Sequence, residues 1–447
     1  MGTKSKQLLS AVLILNFLIV TGILEVLADP PPPLYIQFSP SATKGALYYP
    51  DPGAFPDPKI GVIAMHRNSN FLSHISTEEL PKRGFIVLGM NPRCDNNEAA
   101  CRPWENNALD VRSGVNYLRQ TVGVEKVILL GHSGGGPTMS FYQAVAEKGV
   151  AFCQDPGKLV KCSDNLAGLP PADGIILMDA HPGNGVNAVR SLNPAVTNDS
   201  AVIDQNRTPQ INPNLDPTNP KNGFNPDGPS TYSDSFKTKY FKAQSDRMNF
   251  LIDNALGKLQ QIEAGTYKYP DDDAFIVPRG DGARLMQADL SIHGSTEEPR
   301  KLLKNDGTIE DCCVVNSVRV PTLDPEENEE FGSTMFLTLR SFLSVRAIRS
   351  TDSMDNLDWC SSNNSTPCNL QNVTIPLLVT AMGGHYFIRD SEIFFDMAAS
   401  SDKDFVVIEG ASHGGTPCTA CETTPGQYSN TVENLFDLMA TWINEKF

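Results

Sequence analysis

Residues 126–140, with the sequence KVILLGHSGGGPTMS, constrain the fold of this chain more than any other segment. A β-branched apolar run leads into Gly-His-Ser-Gly-Gly, and a helix-compatible stretch follows. This order predicts a strand, a sharp turn and a helix, with Ser133 exposed on the turn as in a G-x-S-x-G nucleophile elbow. The N–H of Gly134 would then lie at the positive end of the helix, where it could stabilise an oxyanion.

The N-terminal segment, residues 1–28, predicts a signal peptide that is not part of the fold. Lys4 and Lys6 precede an almost wholly apolar run, and Ala28 offers a small residue at a plausible cleavage point. The apolar run is long for a signal peptide, so an uncleaved membrane anchor remains an alternative. We therefore expect a secreted or lumenal protein.

Cysteine usage agrees with export. Close pairs in an exported chain are disulfide candidates, and four such pairs occur here: Cys94/Cys101, Cys153/Cys162, Cys360/Cys368 and Cys418/Cys421. The adjacent Cys312 and Cys313 are expected to pair elsewhere rather than with each other. Glycosylation sequons, which would be surface sites in a eukaryotic host, occur at Asn198, Asn206, Asn363, Asn364 and Asn372.

The composition excludes several classes of partner. With 52 acidic and 36 basic residues the net charge is −16, which argues against nucleic acid as a partner and against simple attraction to anionic lipid. The seven histidines are scattered and none forms His-x-x-x-His, so we expect neither a metal site nor a cofactor.

Apolar runs alternate with helical patterns along most of the chain. Short strands are expected within residues 34–49. Buried strands are expected at residues 59–66, 84–90, 174–178, 375–380 and 404–409, together with the elbow strand. Helices are expected at residues 107–120, 138–147, 390–399 and 431–444. This alternation predicts an α/β fold with a mainly parallel sheet that is covered on both faces.

The composition changes between residues 183 and 371. Residues 193–235 are rich in Asn, Pro, Asp, Ser and Thr, which is typical of a long surface loop. Two amphipathic helices are predicted after it, near residues 241–263 and 330–349, and their apolar stripes are expected to cover a core.

The chain resembles the α/β-hydrolase fold family over residues 59–178 and 375–447. The matching features are the GHSGG elbow, the strand that ends at His66, and a final strand followed by EGASHG. The resemblance implies a core formed by residues 29–182 and 372–447, with residues 183–371 inserted as a lid between the sixth and seventh strands. It also implies that the base is the histidine after the last strand, His413, in the chain order Ser…acid…His.

The acid of the implied triad is the least determined residue. Many family members carry Asp after the strand that here covers residues 375–380, but His385 occupies that position. Asp179, at the end of the preceding strand, matches an alternative found in some lipases and is the favoured acid. Asp390 or Glu392 could instead reach back to the histidine.

The resemblance implies an oxyanion site made by the N–H of Gly134 and by one from the loop after His66, with Arg67 as the expected donor. His66 and His181 could line the pocket. The predicted activity is hydrolysis of a carboxylic ester, small or polymeric, or of a related acyl bond through an acyl-enzyme. A catalytically inert binding protein and a cofactor-free lyase on the same fold are the alternatives.

Overall fold

The computed structural model describes residues 31–447, except for 40, 95–96, 198, 200–209 and 323–333. The predicted signal peptide therefore lies outside the described residues. The strands are β1 (Leu34–Gln37), β2 (Lys44–Tyr48), β3 (Ile60–Met65), β4 (Ile86–Asn91), β5 (Lys126–His132), β6 (Gly174–Met178), β7 (Ala274–Val277), β8 (Ser295–Leu303), β9 (Ile309–Asn316), β10 (Met335–Thr338), β11 (Ser350–Asp352), β12 (Asn356–Leu357), β13 (Leu377–Met382) and β14 (Lys403–Ile408).

From β3 to β6 and from β13 to the C-terminus, strands alternate with helices as the sequence predicts. The helices are α1 (Ser76–Glu79), α2 (Asn107–Tyr117), α3 (Gly135–Lys148), α4 (Asn184–Ser191), α5 (Asp234–Glu263), α6 (Leu285–Ala288), α7 (Leu339–Ser341), α8 (Thr366–Leu370), α9 (Ile388–Met397) and α10 (Thr431–Lys446). Within the described residues no helix is both long and apolar enough to cross a membrane.

Ten strands form one central sheet in the order β1-β2-β4-β3-β5-β6-β13-β14-β8-β9. In this order the run from β4 to β8 is parallel, whereas β1 and β2 at one end of the sheet and β9 at the other pair antiparallel with their neighbours. The central strands are apolar throughout because both faces of the sheet are covered. In β5, for example, Val127 and Leu129 pack on the side of α2 and α3, whereas Ile128 and Leu130 pack on the side of α10.

A mainly parallel sheet with helices on both faces and a strand–turn–helix elbow between β5 and α3 is the α/β-hydrolase fold predicted from the sequence. Parallel strands place their carboxyl ends at one edge of the sheet. The residues that follow β3, β5, β6, β13 and β14 therefore meet there, and these segments contain every predicted catalytic or oxyanion residue.

The segment between β6 and β13 carries two features that the sequence analysis did not anticipate. The hairpin β8–β9 extends the central sheet, because β8 pairs parallel with β14 from Val406↔Lys301 to Ile408↔Leu303. Helix α8 packs against α3 of the core. The division into a core and a lid at residues 183–371 stays a prediction.

The helix predicted near residues 330–349 is wrong within the described residues. Residues 335–338 form strand β10, which pairs with β7, and only the short α7 and a π-helical turn, Phe342–Arg346, follow. The burial in β10 has period two, since Met335 and Leu337 are buried while Phe336 is 55% exposed. A helical reading of these apolar residues therefore assigned them the wrong period.

The four close cysteine pairs form disulfides as predicted, namely Cys94–Cys101, Cys153–Cys162, Cys360–Cys368 and Cys418–Cys421. Cys313 is also disulfide-bonded. The side chain of Cys312 lies outside the described ones, so the expectation for that adjacent pair stays a prediction.

Two of the five sequons are not surface sites. Asn363 and Asn364 are only 3% and 0% exposed, so neither could carry a glycan in the folded protein. The Asn363 amide donates hydrogen bonds to Glu105 and to the carbonyl of Val160. Asn372 is partly exposed. Asn198 and Asn206 lie outside the described residues.

Candidate active site

Ser133 lies on a sharp turn between β5 and α3, and its φ angle of 55° is in the left-handed region that non-glycine residues rarely adopt. The glycines around it allow the close approach of strand and helix. A Cβ on Gly131 would lie 2.8 Å from the carbonyl oxygen of Gly135, and one on Gly135 would lie 2.6 Å from that of Met65. The turn holds the serine hydroxyl at the strand ends, where the side chain is partly exposed.

The structure brings three of the predicted residues into one chain of contacts. His413 Nε2 lies 3.0 Å from Ser133 Oγ, and His413 Nδ1 lies 2.6 Å from Asp179 Oδ2. Because a carboxylate only accepts hydrogen bonds, Nδ1 carries the hydrogen and Nε2 presents a lone pair to the serine hydroxyl. This is the arrangement in which an imidazole can take a proton from serine.

Asp179 is completely buried and also has a left-handed φ angle, 40°. Its Oδ1, the oxygen that does not face His413, accepts a hydrogen bond from the N–H of Met382. A second imidazole lies against Oδ2, the oxygen that faces His413, since His385 Nδ1 is 2.7 Å from it. Burial acts to raise the pKa of Asp179, but the neighbouring His385 and His413 outweigh it and hold this pKa well below its usual range.

The two alternative acids are engaged elsewhere. Asp390 is buried and accepts a hydrogen bond from Arg190 Nη1 at 2.8 Å. Glu392 accepts hydrogen bonds from the N–H groups of Glu297 and Glu298 and from Arg300 Nε. Of the three candidates, Asp179 is the carboxylate in hydrogen-bond contact with His413.

The cluster of Asp179, His385 and His413 has the residue types of a metal site, and its candidate ligand atoms lie within 4.8 Å of one another. Two ligands held at about 2.1 Å by a tetrahedral zinc ion would be about 3.4 Å apart. Here each Nδ1 is only 2.6 or 2.7 Å from the carboxylate oxygen. Both contacts are thus shorter than the separation expected for two ligands of one zinc ion.

The predicted oxyanion residues lie beside the elbow. Gly134 is the N-cap of α3, so its N–H belongs to the group that a helix leaves without an internal acceptor. His66 Nδ1 accepts hydrogen bonds from the N–H groups of Asn68 and Ser69, and its hydrogen is therefore on Nε2. That Nε2 lies 2.6 Å from the position a Cβ on Gly134 would occupy, so the imidazole edge covers the start of α3.

Arg67, the expected second donor, is buried two residues after the end of β3. Its carbonyl oxygen lies 3.5 and 3.7 Å from the sulfur atoms of Cys94 and Cys101. This disulfide therefore packs against the backbone of the loop that would supply the donor. The oxyanion roles of Gly134, Arg67 and His66 stay predictions.

His181, which the sequence places only in the pocket lining, directly contacts the serine. Its Nε2 lies 3.0 Å from Ser133 Oγ, and its Nδ1 lies 3.2 Å from Asn184 Oδ1. Burial, together with the charges of His413, His66 and Arg67, lowers the pKa of His181 well below its usual value. Its position two residues beyond Asp179 on the same strand end is the sequence signal for this contact.

Two further histidines, His132 and His74, form a chain of hydrogen bonds that ends at the backbone carbonyl of His413. His132 Nε2 donates a hydrogen bond to the carbonyl oxygen of His413 at 2.8 Å, which leaves His132 Nδ1 to accept one from His74 Nε2 at 2.9 Å. His74 Nδ1 in turn contacts Ser76 Oγ and accepts from the N–H of Ser76. Burial lowers the pKa of His74 to about 4. The sequence analysis missed this chain, because nothing in the local pattern around His74 marks it.

A scan against protein-family models finds no match, and a search of curated proteins finds none either. Solved structures do resemble the chain. A soluble variant of monoglyceride lipase from Saccharomyces cerevisiae is 11% identical with a TM-score of 0.39, covering 94% of this chain and 97% of its own. Brefeldin A esterase is 11% identical with a TM-score of 0.41, covering 98% of this chain and 81% of its own. Est1E from Butyrivibrio proteoclasticus is 11% identical with a TM-score of 0.37, covering 93% and 99%. These similarities concern the fold alone.

Proposed function

We propose that this α/β-hydrolase-fold chain is a serine hydrolase that cleaves a carboxylic ester or a related acyl bond. The observation that carries the proposal is the continuous contact from Ser133 Oγ to His413 Nε2 and from His413 Nδ1 to Asp179, with the serine on a strained turn. A strained backbone conformation costs of order 1–3 kcal/mol and is concentrated at functional sites.

Acylation would begin with transfer of the Ser133 proton to His413 as Oγ bonds to the substrate carbonyl carbon. Asp179, held ionised by its low pKa, would stabilise the imidazolium. The N–H groups of Gly134 and Arg67, with the His66 edge close by, would stabilise the negative charge on the carbonyl oxygen. His413 would then give its proton to the leaving oxygen, the bond to the leaving group would break, and an acyl-enzyme would remain.

The substrate remains defined by class. The net charge of −16 disfavours polyanionic substrates, and an ester, small or polymeric, needs no cofactor for this chemistry. We also propose that the protein is secreted or retained in the secretory lumen. The apolar N-terminal segment and the disulfides of the four close cysteine pairs support this placement.

The test is the intact mass of the protein after treatment with a fluorophosphonate, followed by hydrolysis assays with a panel of esters. We expect one adduct on the wild-type protein and none on Ser133→Ala. Ser69→Ala removes an exposed serine near the oxyanion loop and is the matched control that should label normally. Well-folded wild-type protein that takes up no adduct would favour the inert binding protein. Labelling without turnover of any ester would favour a lyase.

A further inference from the structure

Ser133 Oγ has two imidazole neighbours at the same distance, and the proposed function uses only one of them. His413 Nε2 and His181 Nε2 each lie 3.0 Å from this oxygen. The two rings are nearly parallel, with 17° between their planes and 6.4 Å between their centroids. A serine hydroxyl has one hydrogen and can donate it to only one of them at a time.

The tautomer of His181 follows from the amides behind it. The backbone N–H of Asn184 donates to Asn364 Oδ1 at 2.8 Å, and this donor identifies the accepting atom as oxygen. The amide atom of Asn184 that lies 2.9 Å from the same oxygen must be its nitrogen, so Asn184 Oδ1 faces His181 Nδ1. Nδ1 of His181 therefore carries the hydrogen, and Nε2 presents a lone pair to Ser133.

The partner behind each imidazole decides what that imidazole can do with a proton. Asp179 is a carboxylate and stabilises a positive charge on His413, whereas Asn184 is a neutral amide. His181 is also buried against other imidazoles and near Arg67, and its pKa is well below the usual value. His181 is thus a hydrogen-bond acceptor that remains neutral, while His413 is the group able to become charged.

We propose that His181 is a catalytic residue of deacylation that holds the hydrolytic water, an inference that rests on the proposed function. A water molecule brings two hydrogens to the acyl-enzyme. His413 Nε2 takes one as the water oxygen bonds to the acyl carbon, and His181 Nε2 accepts a hydrogen bond from the other, which stays on that oxygen. His413 then returns its proton to Ser133 Oγ, the bond between the acyl carbon and Oγ breaks, and the carboxylic acid leaves.

The same geometry gives His181 less to do in acylation. The attacking oxygen is then Ser133 Oγ, whose single hydrogen goes to His413, and no second hydrogen remains on it. Both imidazole nitrogens lie 3.0 Å from Oγ, so both border the space beside the acyl carbon that Oγ would carry. Loss of His181 should therefore slow deacylation selectively.

The experiment compares wild type, His181→Leu and His181→Gln with p-nitrophenyl acetate, or another chromogenic aryl ester that the wild type hydrolyses. Rapid mixing gives the acylation rate from the initial release of nitrophenol, and intact mass after a quench gives the fraction of acetyl-enzyme. For His181→Leu we expect acylation within a few-fold of wild type, deacylation slower by on the order of 10²-fold, and accumulated acetyl-enzyme. His181→Gln, whose amide oxygen can accept the hydrogen bond, should recover part of the deacylation rate.

The rate of fluorophosphonate labelling is the control, because that reaction needs Ser133 and His413 but no water. Labelling of the His181 variants at the wild-type rate would establish that the site is intact. Equal slowing of labelling, acylation and deacylation would assign His181 a general structural role and overturn the inference. Unchanged deacylation in both variants would also overturn it. A wild type that neither labels nor hydrolyses any ester would instead refute the proposed function itself.

Discussion

The two sides of Ser133 are alike in geometry and different in charge. On one side His413 lies between the serine and a buried carboxylate, and on the other side His181 lies between the serine and a buried amide. Both imidazoles reach Oγ at 3.0 Å. Distance to the nucleophile therefore does not identify the base. The group one hydrogen bond further away does, because it determines whether the imidazole can hold a positive charge.

The largest effect is expected from Asp179→Asn, because each of the two imidazoles would then have an amide, and no carboxylate, at its Nδ1 on the side away from Ser133. Asparagine tolerates the left-handed backbone of this position, and its oxygen can still accept from the N–H of Met382. Its NH2 group, however, would face His413 Nδ1 and favour the tautomer whose Nε2 cannot accept the serine proton. We expect kcat for ester hydrolysis to fall by about 10⁴-fold, measured on protein whose folding is checked by circular dichroism.

Asp390→Asn is the matched control for that substitution. It leaves Arg190 buried with its charged partner removed, so we expect the free energy of unfolding to fall by about 3–5 kcal/mol. The kcat of the folded protein should stay within a few-fold of wild type. A larger loss of kcat for Asp390→Asn than for Asp179→Asn would assign the role of acid to Asp390.

Buried histidines such as His181, whose pKa is lowered, determine how the stability of the protein should depend on pH. Burial lowers the pKa of five histidines, His74 to about 4 and the others by direction alone: His132, His181, His293 and His385. Below about pH 6.5 the unfolded chain therefore binds more protons at these side chains than the folded chain does. The free energy of unfolding should therefore decrease as the pH falls from 6.5 towards 4, by up to about 1.4 kcal/mol per pH unit for each histidine.

Urea unfolding at pH 7, 6 and 5 measures this dependence. His181→Gln removes one of the five groups. It should make the slope of the free energy of unfolding against pH shallower by up to about 1.4 kcal/mol per pH unit, which corresponds to one proton. A free energy of unfolding that stays constant from pH 7 to pH 5 in the wild type and in His181→Gln would contradict this prediction.

A smaller effect on kcat is expected from changes at His132, which contacts His413 but does not contact Ser133. His132 donates to the carbonyl oxygen of His413 and has His74 behind it. His132→Leu should lower kcat about tenfold with KM unchanged, because it loosens the base without touching the substrate. His74→Leu acts through His132 and should cost less. A change in KM alone would place His132 in substrate binding.

The parts of the site that the sequence predicts are those that depend on local geometry. The elbow is readable because Gly131 and Gly135 must be small wherever a strand turns directly into a helix. The strand ends are readable because apolar runs of strand length alternate with helical periods. Asp179 follows from the second of these, since it is the first residue after β6.

The rest depends on contacts between distant segments, which no local pattern encodes. The tautomer of His181 is set by Asn184, whose amide is oriented by Asn364, 180 positions further along the chain. The support of His413 comes from His132, 281 positions earlier in the chain. The apolar residues of β10 carry no sequence mark of their partner β7, so a helical period fitted them equally well. Such features become visible only when the strand ends are brought together.

The mildest test keeps both imidazoles and alters only the amide side. Asn184→Leu removes the acceptor that holds the hydrogen on His181 Nδ1, so the ring can take either neutral tautomer and Nε2 presents its lone pair for only part of the time. A hydrogen bond of this kind is worth about 1 kcal/mol, so we expect deacylation to slow about fivefold while fluorophosphonate labelling stays at the wild-type rate. Rapid-mixing assays with the same aryl ester separate the two steps. If labelling slows as much as deacylation, the amide positions the whole strand end rather than the tautomer, and the contrast between the two sides of Ser133 would lie in charge alone.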